Sequence, residues 1–127
     1  MKLRCTTNSI RIRIRKSELD VLAKKQIIED HVQFGHSKAF SFGLSIQSDA
    51  EQVGAWFKEG YLGVVLPLKT AQNWINSNEV RIEVNNVISD QEQLHILVEK
   101  DFPCTDRENE DKSDTFWELV PDTPDAC

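Results

Sequence analysis

The sequence predicts an α+β, mostly β fold in which two pseudo-symmetric strand-strand-helix-strand-strand repeats form one small barrel-like domain. Three observations point there. Adding 52 to the numbers of the first half lays Ile10, Ile12 and Ile14 over Leu62, Val64 and Leu66, Leu22 over Trp74, Ile28 and Val32 over Val80 and Val84, and Phe42, Leu44 and Ile46 over Leu94, Ile96 and Val98. Self-similarity at a fixed spacing defines an architecture before any local element is read. Apolar and polar residues also alternate in short runs, the period of a half-buried strand. Finally, a unit of about 50 residues is marginal alone. In a chain of 127 residues the repeats 2–48 and 54–100 should therefore complete one core, a single domain over 1–104.

Each element has a local reason. Lys2 to Thr6 and Ser9 to Arg15 flank a Thr7-Asn8 turn, where Asn tolerates the left-handed conformation. Ile10, Ile12 and Ile14 then face one way and Arg11, Arg13 and Arg15 the other. Ser17 is expected to cap a helix through about Lys24, with Glu18 and Asp20 at its positive end, Lys24-Lys25 at its negative end and Leu19 and Leu22 inward. Strands follow over Ile27 to Phe34 and Ala39 to Gln47, around a Gly35 to Lys38 turn. In the second repeat Val53 to Lys58 and Tyr61 to Leu66 flank Glu59-Gly60, and Pro67 opens a helix with Ala71 and Trp74 inward. Asn76-Ser77-Asn78 end that helix, Glu79 to Val84 is a strand, and Leu94 to Lys100 closes the unit after a polar loop around Ser89 to Gln93. Residues 105–127, with Pro121, Pro124 and clustered acids, read as an acidic tail, either flexible or packed back on the domain.

The net charge of −6 is unevenly distributed: residues 1–50 carry +4, residues 51–104 carry −4 and residues 105–127 carry −6. Such asymmetry speaks to partners rather than to fold. The longest apolar run, around Leu62 to Leu66, is far too short to span a bilayer, so no membrane association is expected. Met1-Lys2-Leu3-Arg4-Cys5 lacks the apolar stretch of a secretory signal, which predicts a cytoplasmic protein. Cys5, Cys104 and Cys127 fit reduced thiols, since they are odd in number and widely separated.

The stretch Asn8-Ser9-Ile10-Arg11-Ile12-Arg13-Ile14 resembles the Asn-Ser turn and the apolar, Arg, apolar strand of the swapped-hairpin fold of AbrB-like transition regulators and MazE-like antitoxins. Gly60-Tyr61-Leu62-Gly63-Val64-Val65-Leu66-Pro67 resembles the same stretch, including the Pro that often opens the helix. Two such chains interleave as a dimer in that family, so the resemblance implies a swapped-hairpin dimer fused into one chain over residues 2–100. The whole chain is also similar to uncharacterised small bacterial proteins that share the Asn8-Ser9-Ile10-Arg11 start and a Val98-Glu99-Lys100-Asp101-Phe102 ending, which implies a bacterial, cytoplasmic setting.

The foremost candidate site is the basic stripe. Arg11, Arg13 and Arg15 repeat along one strand face at about 7 Å, with Arg4, Lys2 and Lys16 beside them. Arginine forks match phosphate oxygens, and cationic surface supplies the salt-sensitive part of DNA affinity. The resemblance places Asn8 and Arg13 at DNA-facing positions of the first hairpin, whereas the second repeat has Gly60, Gly63, Val65 and Pro67 where the first has Asn8, Arg11, Arg13 and Arg15. The competing account is that these arginines pair with acids on neighbouring strands. MazE-like antitoxins wrap a toxin with an acidic extension, and Phe116, Trp117 and Leu119 in the acidic tail are similar in character. The alternative is that Trp117 and Leu119 cover an edge of their own domain.

For catalysis, Cys104 near Asp101 and Asp106 is a weak nucleophile candidate, and His31, His36 and His95 lack zinc-site spacing. The sequence thus predicts a non-catalytic binding or regulatory module, monomeric or homodimeric, without metal or cofactor, that takes DNA or a partner protein. The alternative is a small enzyme or binding protein that uses the same arginines for a phosphorylated small molecule, with Cys104 or His95 nearby and a pocket beside the stripe.

Overall fold

The computed structural model describes residues 1–103, 114 and 116–119, with the Trp117 side chain left out. Strands β1 (Lys2–Thr6) and β2 (Ser9–Ile14) form a hairpin, followed by α1 (Lys16–Lys25) and a second hairpin, β3 (Ile27–Gly35) and β4 (Lys38–Gln47). The same order recurs in β5 (Gly54–Lys58), β6 (Tyr61–Pro67), α2 (Leu68–Ile75), β7 (Arg81–Ser89) and β8 (Glu92–Lys100). A short 3-10 turn spans Trp117–Leu119.

The hairpins exchange partners between halves. One four-stranded sheet has the order β1-β2-β8-β7 and the other β3-β4-β6-β5. At each centre a strand of one half runs parallel to a strand of the other, β2 beside β8 and β4 beside β6, while the hairpins themselves are antiparallel. Neither half owns a sheet. Backbone pairing among the described residues leaves β1, β7, β3 and β5 as edges, so the expected barrel-like closure is replaced by two open sheets.

Alternation decides which face of each sheet is buried. Ile10, Ile12, Ile14, Ile96 and Val98 from the first sheet meet Phe42, Leu44, Leu62, Val64 and Leu66 from the second in one core, joined by Leu22 of α1 and by Ala71 and Trp74 of α2. Fully burying a side chain of this size contributes about 1.5–3 kcal/mol.

The two helices start differently from expectation. Arg15, not Ser17, is the N-cap of α1, because the Glu18 carboxylate accepts the Arg15 N–H at 2.9 Å and begins the helix two residues earlier. Pro67 precedes α2 as its N-cap rather than forming its first turn. The hairpin β7-β8 also reaches further towards its turn than expected, since Ser89, Glu92 and Gln93 continue the strands and only Asp90-Gln91 turn.

The pairing registers correct the relation between the halves. Leu62 lies opposite Phe42, while Ile10 lies opposite Ile96; with Ile10 and Leu62 separated by 52 positions, Phe42 corresponds to Ile96, 54 along, rather than to Leu94. Likewise Ile28 pairs with Leu44 as Ile82 pairs with Val98, so Ile28 corresponds to Ile82 and not to Val80. The net gain of two arises because α2 is two residues shorter than α1 while residues 76–80 stand where Gln26 alone joins α1 to β3.

Candidate functional site

Because the inner faces are consumed by the core, chemistry falls on the outer faces. On the first sheet the registers lay out three rows: Lys2, Arg13, Glu99 and Arg81; Arg4, Arg11, Leu97 and Glu83; Thr6, Ser9, His95 and Asn85. The basic stripe therefore lies within a field of both signs. Arg13 Nε and Nη2 both donate to Oε1 of Glu99, at 3.0 and 2.8 Å, and the Glu99 side chain is only 5% exposed. Lys2 approaches Asp101 at 3.6 Å from a largely exposed position. Arg11 makes no ion pair among the described residues. Arg15 leaves the strand to cap α1 and so does not extend the row. Asn8 sits in the turn at φ 50°, and its carbonyl accepts the His95 N–H at 2.9 Å, the first bond of the parallel ladder. Its place in the structure is thus that of a turn residue.

Sequence reasoning missed a relay across this face. His95 Nδ1 lies 2.9 Å from Ser9 Oγ, and Nε2 lies 2.6 Å from Glu83 Oε2. An ionised carboxylate can only accept, so Nε2–H donates to Glu83 and, in the neutral ring, Nδ1 accepts a hydrogen bond from the Ser9 hydroxyl. Serine, histidine and glutamate in this order are the parts of a hydrolytic relay, but acyl transfer also needs donors aimed at a developing oxyanion. Here the neighbouring His95 N–H is committed to Asn8, and the three side chains bridge β2, β8 and β7 on an open face. The arrangement is a clasp between strands that belong to different halves.

A cleft of about 690 Å³ opens between α2 and β7, the edge strand of this sheet, and its lining includes Lys69, Thr70, Asn73, Arg81 and Glu83, so it adjoins the Glu83 end of the relay. Arg4, Arg11, Arg13 and Arg15 are not among its lining residues, so the pocket that a phosphorylated ligand would need beside the stripe is not this one. Among the described residues no group of His, Cys, Asp and Glu is placed to hold a metal ion, and no helix is long and apolar enough to cross a membrane. Cys104 lies outside the described residues, and Cys5 is an exposed free thiol. In the tail, Phe116 and Leu119 are 73% and 72% exposed.

The second sheet's outer face differs at every matching place but one, where Glu29 stands as Glu83 does in the first sheet. Its rows are Ile27, Ser45, Val65 and Gly54; Glu29, Gly43, Gly63 and Trp56; His31, Ser41, Tyr61 and Lys58. Where the first sheet has Arg4 and Arg11, this one has Trp56 and Gly63. The Tyr61 hydroxyl donates to Glu29 Oε2 at 2.7 Å. Burial, that hydrogen bond and the Glu29 charge push the Tyr61 phenol from its ordinary 10 up to about 12. Because the protonated form is the one favoured by folding, this contribution to stability is complete below pH 10 and is lost as pH rises towards about 12. Tyr61 is the single tyrosine, so tyrosinate absorbance reads it directly. We expect a midpoint near 12 in the native protein and a lower one in Glu29→Gln, with part of the elevation kept because burial remains. A native midpoint at the ordinary value would mean that the Tyr61–Glu29 bond does not persist in solution.

Two open, partner-exchanging sheets with contrasting outer faces define a small α+β module whose candidate sites are surfaces. The chain belongs to the family of unknown function DUF7009, whose match spans residues 1–119. No curated protein and no solved structure matches it.

Proposed function

We propose that the chain is a non-catalytic binding module that takes a partner protein on the outer face of its first sheet. The observation that carries this reading is the Arg13–Glu99 pair, which sets a carboxylate among the cations of one row, so that the stripe is not an uninterrupted basic track. A nucleic-acid backbone is evenly negative and rewards uninterrupted cations. A protein surface is mixed, and complementary patterns of both signs give it register and specificity. Arg11 and Lys2 on this face, with Glu83 across the sheet, offer such a pattern. The exposed Phe116 and Leu119 supply apolar anchors of the kind that interfaces use, which supports the tail as a second contact. The exchange of hairpins between halves supports descent from a swapped-hairpin dimer fused into one chain, working in a bacterial cytoplasm.

The test places a photo-crosslinking side chain at position 11, with position 24 on α1 as control, in the native host. A discrete protein adduct is expected from position 11, absent from position 24 and weakened when Lys2 is changed to Glu. A mixed-sequence DNA duplex titrated in parallel should bind no better than the non-specific range, roughly 10⁻⁴–10⁻⁶ M. Tighter duplex binding that falls steeply with salt and is lost in Arg11→Glu would overturn the assignment in favour of DNA.

A further inference from the structure

We propose that the outer face of the second sheet is a separate binding site for an extended β-linked glycan, a ring face of which stacks on Trp56, itself backed by Tyr61, while Glu29 and its neighbours bind the hydroxyls. The site is built from bare backbone. Gly43 and Gly63 pair directly across the parallel centre of the sheet, leaving a strip without side chains. A Cβ on Gly43 would collide with the Tyr61 hydroxyl, and one on Gly63 with Nε1, Cε2 and Cζ2 of Trp56, so the two rings lie down on this strip. Their centroids are 5.1 Å apart and their planes 15° from parallel. At that separation the rings are stacked, overlapping in part, and the indole of Trp56 offers the aromatic plane to solvent.

Covering the glycines does not require what Trp56 does next. It remains 48% exposed, presenting half of a large apolar side chain to water. Around it the rim is polar: Glu29 has a second carboxylate oxygen beyond the one that accepts Tyr61, and His31, Ser41 and Lys58 share the Tyr61 row. Apolar plane and polar rim together match the chemistry of a pyranose. In a β-linked chain each ring points its C–H bonds, with their partial positive charge, from its faces and its hydroxyls from its edge. The faces suit the negative π surface of an indole, and the edge suits carboxylate, hydroxyl and ammonium groups. The sheet is open rather than pocketed, so a ribbon-like chain seats better than a compact sugar. A nucleobase would also stack, but a strand of nucleic acid needs a cationic track beside the rings. The rows here supply Lys58 against Glu29.

The experiment titrates the full chain with cellohexaose, chitohexaose and a thymidine hexanucleotide, following intrinsic fluorescence and calorimetry. Trp74 is fully buried and should report little. A saturable signal is expected with at least one glycan and none with the oligonucleotide. Trp56→Ala should weaken the glycan by about tenfold or more, whereas Trp56→Phe, which keeps an aromatic plane, should lose only a fewfold. Should Trp56→Ala fail to fold, amide spectra of the unaltered protein decide the matter, because glycan must shift the Trp56 indole and the Gly43 and Gly63 amides together. Silence with both glycans, binding indifferent to Trp56→Ala, shifts confined to other residues, or preference for the oligonucleotide would each overturn the proposal.

Discussion

Replacing Arg13 with Ala is expected to destabilise the fold by about 3–5 kcal/mol, the cost typical of stranding one member of a buried ion pair. Glu99 is the one buried charged residue among those described, and Arg13 supplies both hydrogen bonds to its Oε1. Arg13 itself keeps 18% exposure, and water entering by that route places the loss towards the lower end of the range. For a domain of this size even that corresponds to a fall in Tm of roughly 10 °C or more. The pair itself is a different matter. Attraction between two desolvated charges largely offsets the cost of desolvating them, so an Arg13→Leu, Glu99→Leu double variant should recover most of the loss. Thermal and urea unfolding of the parent, Arg13→Leu, Glu99→Leu and the double variant measure the coupling directly. A single variant as stable as the parent would mean that Glu99 is solvated in solution and that the rows are not pre-paired.

This has a functional consequence. Weak binding by Arg13→Ala would not separate a lost contact from a lost fold. Arg11, on the same face and without an ion pair among the described residues, is the informative position.

Much of this architecture is legible in the residues. Period-two alternation in Ile10, Ile12, Ile14 and in Phe42, Leu44, Ile46 marks strands and their buried faces, and the structure buries all six. The same signal is blind to the net gain of two residues ahead of β7. A slip of one would turn every side chain over, but a slip of two keeps each on its face, so a constant offset could lay Phe42 over Leu94 without visible conflict. Asn76 to Glu79 are polar and without period, and nothing in them counts residues. The arginine stripe is legible too, whereas its neutralisation is not. Arg13 and Glu99 stand 86 positions apart and meet only because β8 enters the first sheet beside β2. Ser9 and His95 come together in the same way, while Glu83 reaches His95 within the β7-β8 hairpin. For the aromatic surface a signal did exist: glycines in the middle of two strands mark a close approach, and Trp56 on an edge strand was there to make it.

Trp74→Ala is the other change expected to have a large effect, about 3–5 kcal/mol by the precedent of buried aromatic truncations. Trp74 is fully buried, and at the corresponding place in the first half stands Leu22, also fully buried. The residues differ because their surroundings do. Where Gln26 alone links α1 to β3, residues 76–80 must be carried from α2 to β7, and Trp74 Nε1 holds them by donating to the Val80 carbonyl at 3.1 Å. Lys100 completes the staple: its Nζ donates to the carbonyls of Trp74 and Ser77, both at 2.8 Å, and stands 5.6 Å from the centre of the indole ring. Trp74→Leu should therefore lose less than Trp74→Ala, since it refills much of the cavity and Val80 still accepts the Lys100 N–H at 2.9 Å. Hydrogen exchange separates the two roles. If the indole serves both as core and as staple, Trp74→Leu will retain more global stability than Trp74→Ala while the Lys100 amide, bonded to Val80, exchanges faster than the lost global stability alone explains. Unchanged exchange there would assign the connector to Lys100 alone and leave Trp74 as a space-filling residue like Leu22.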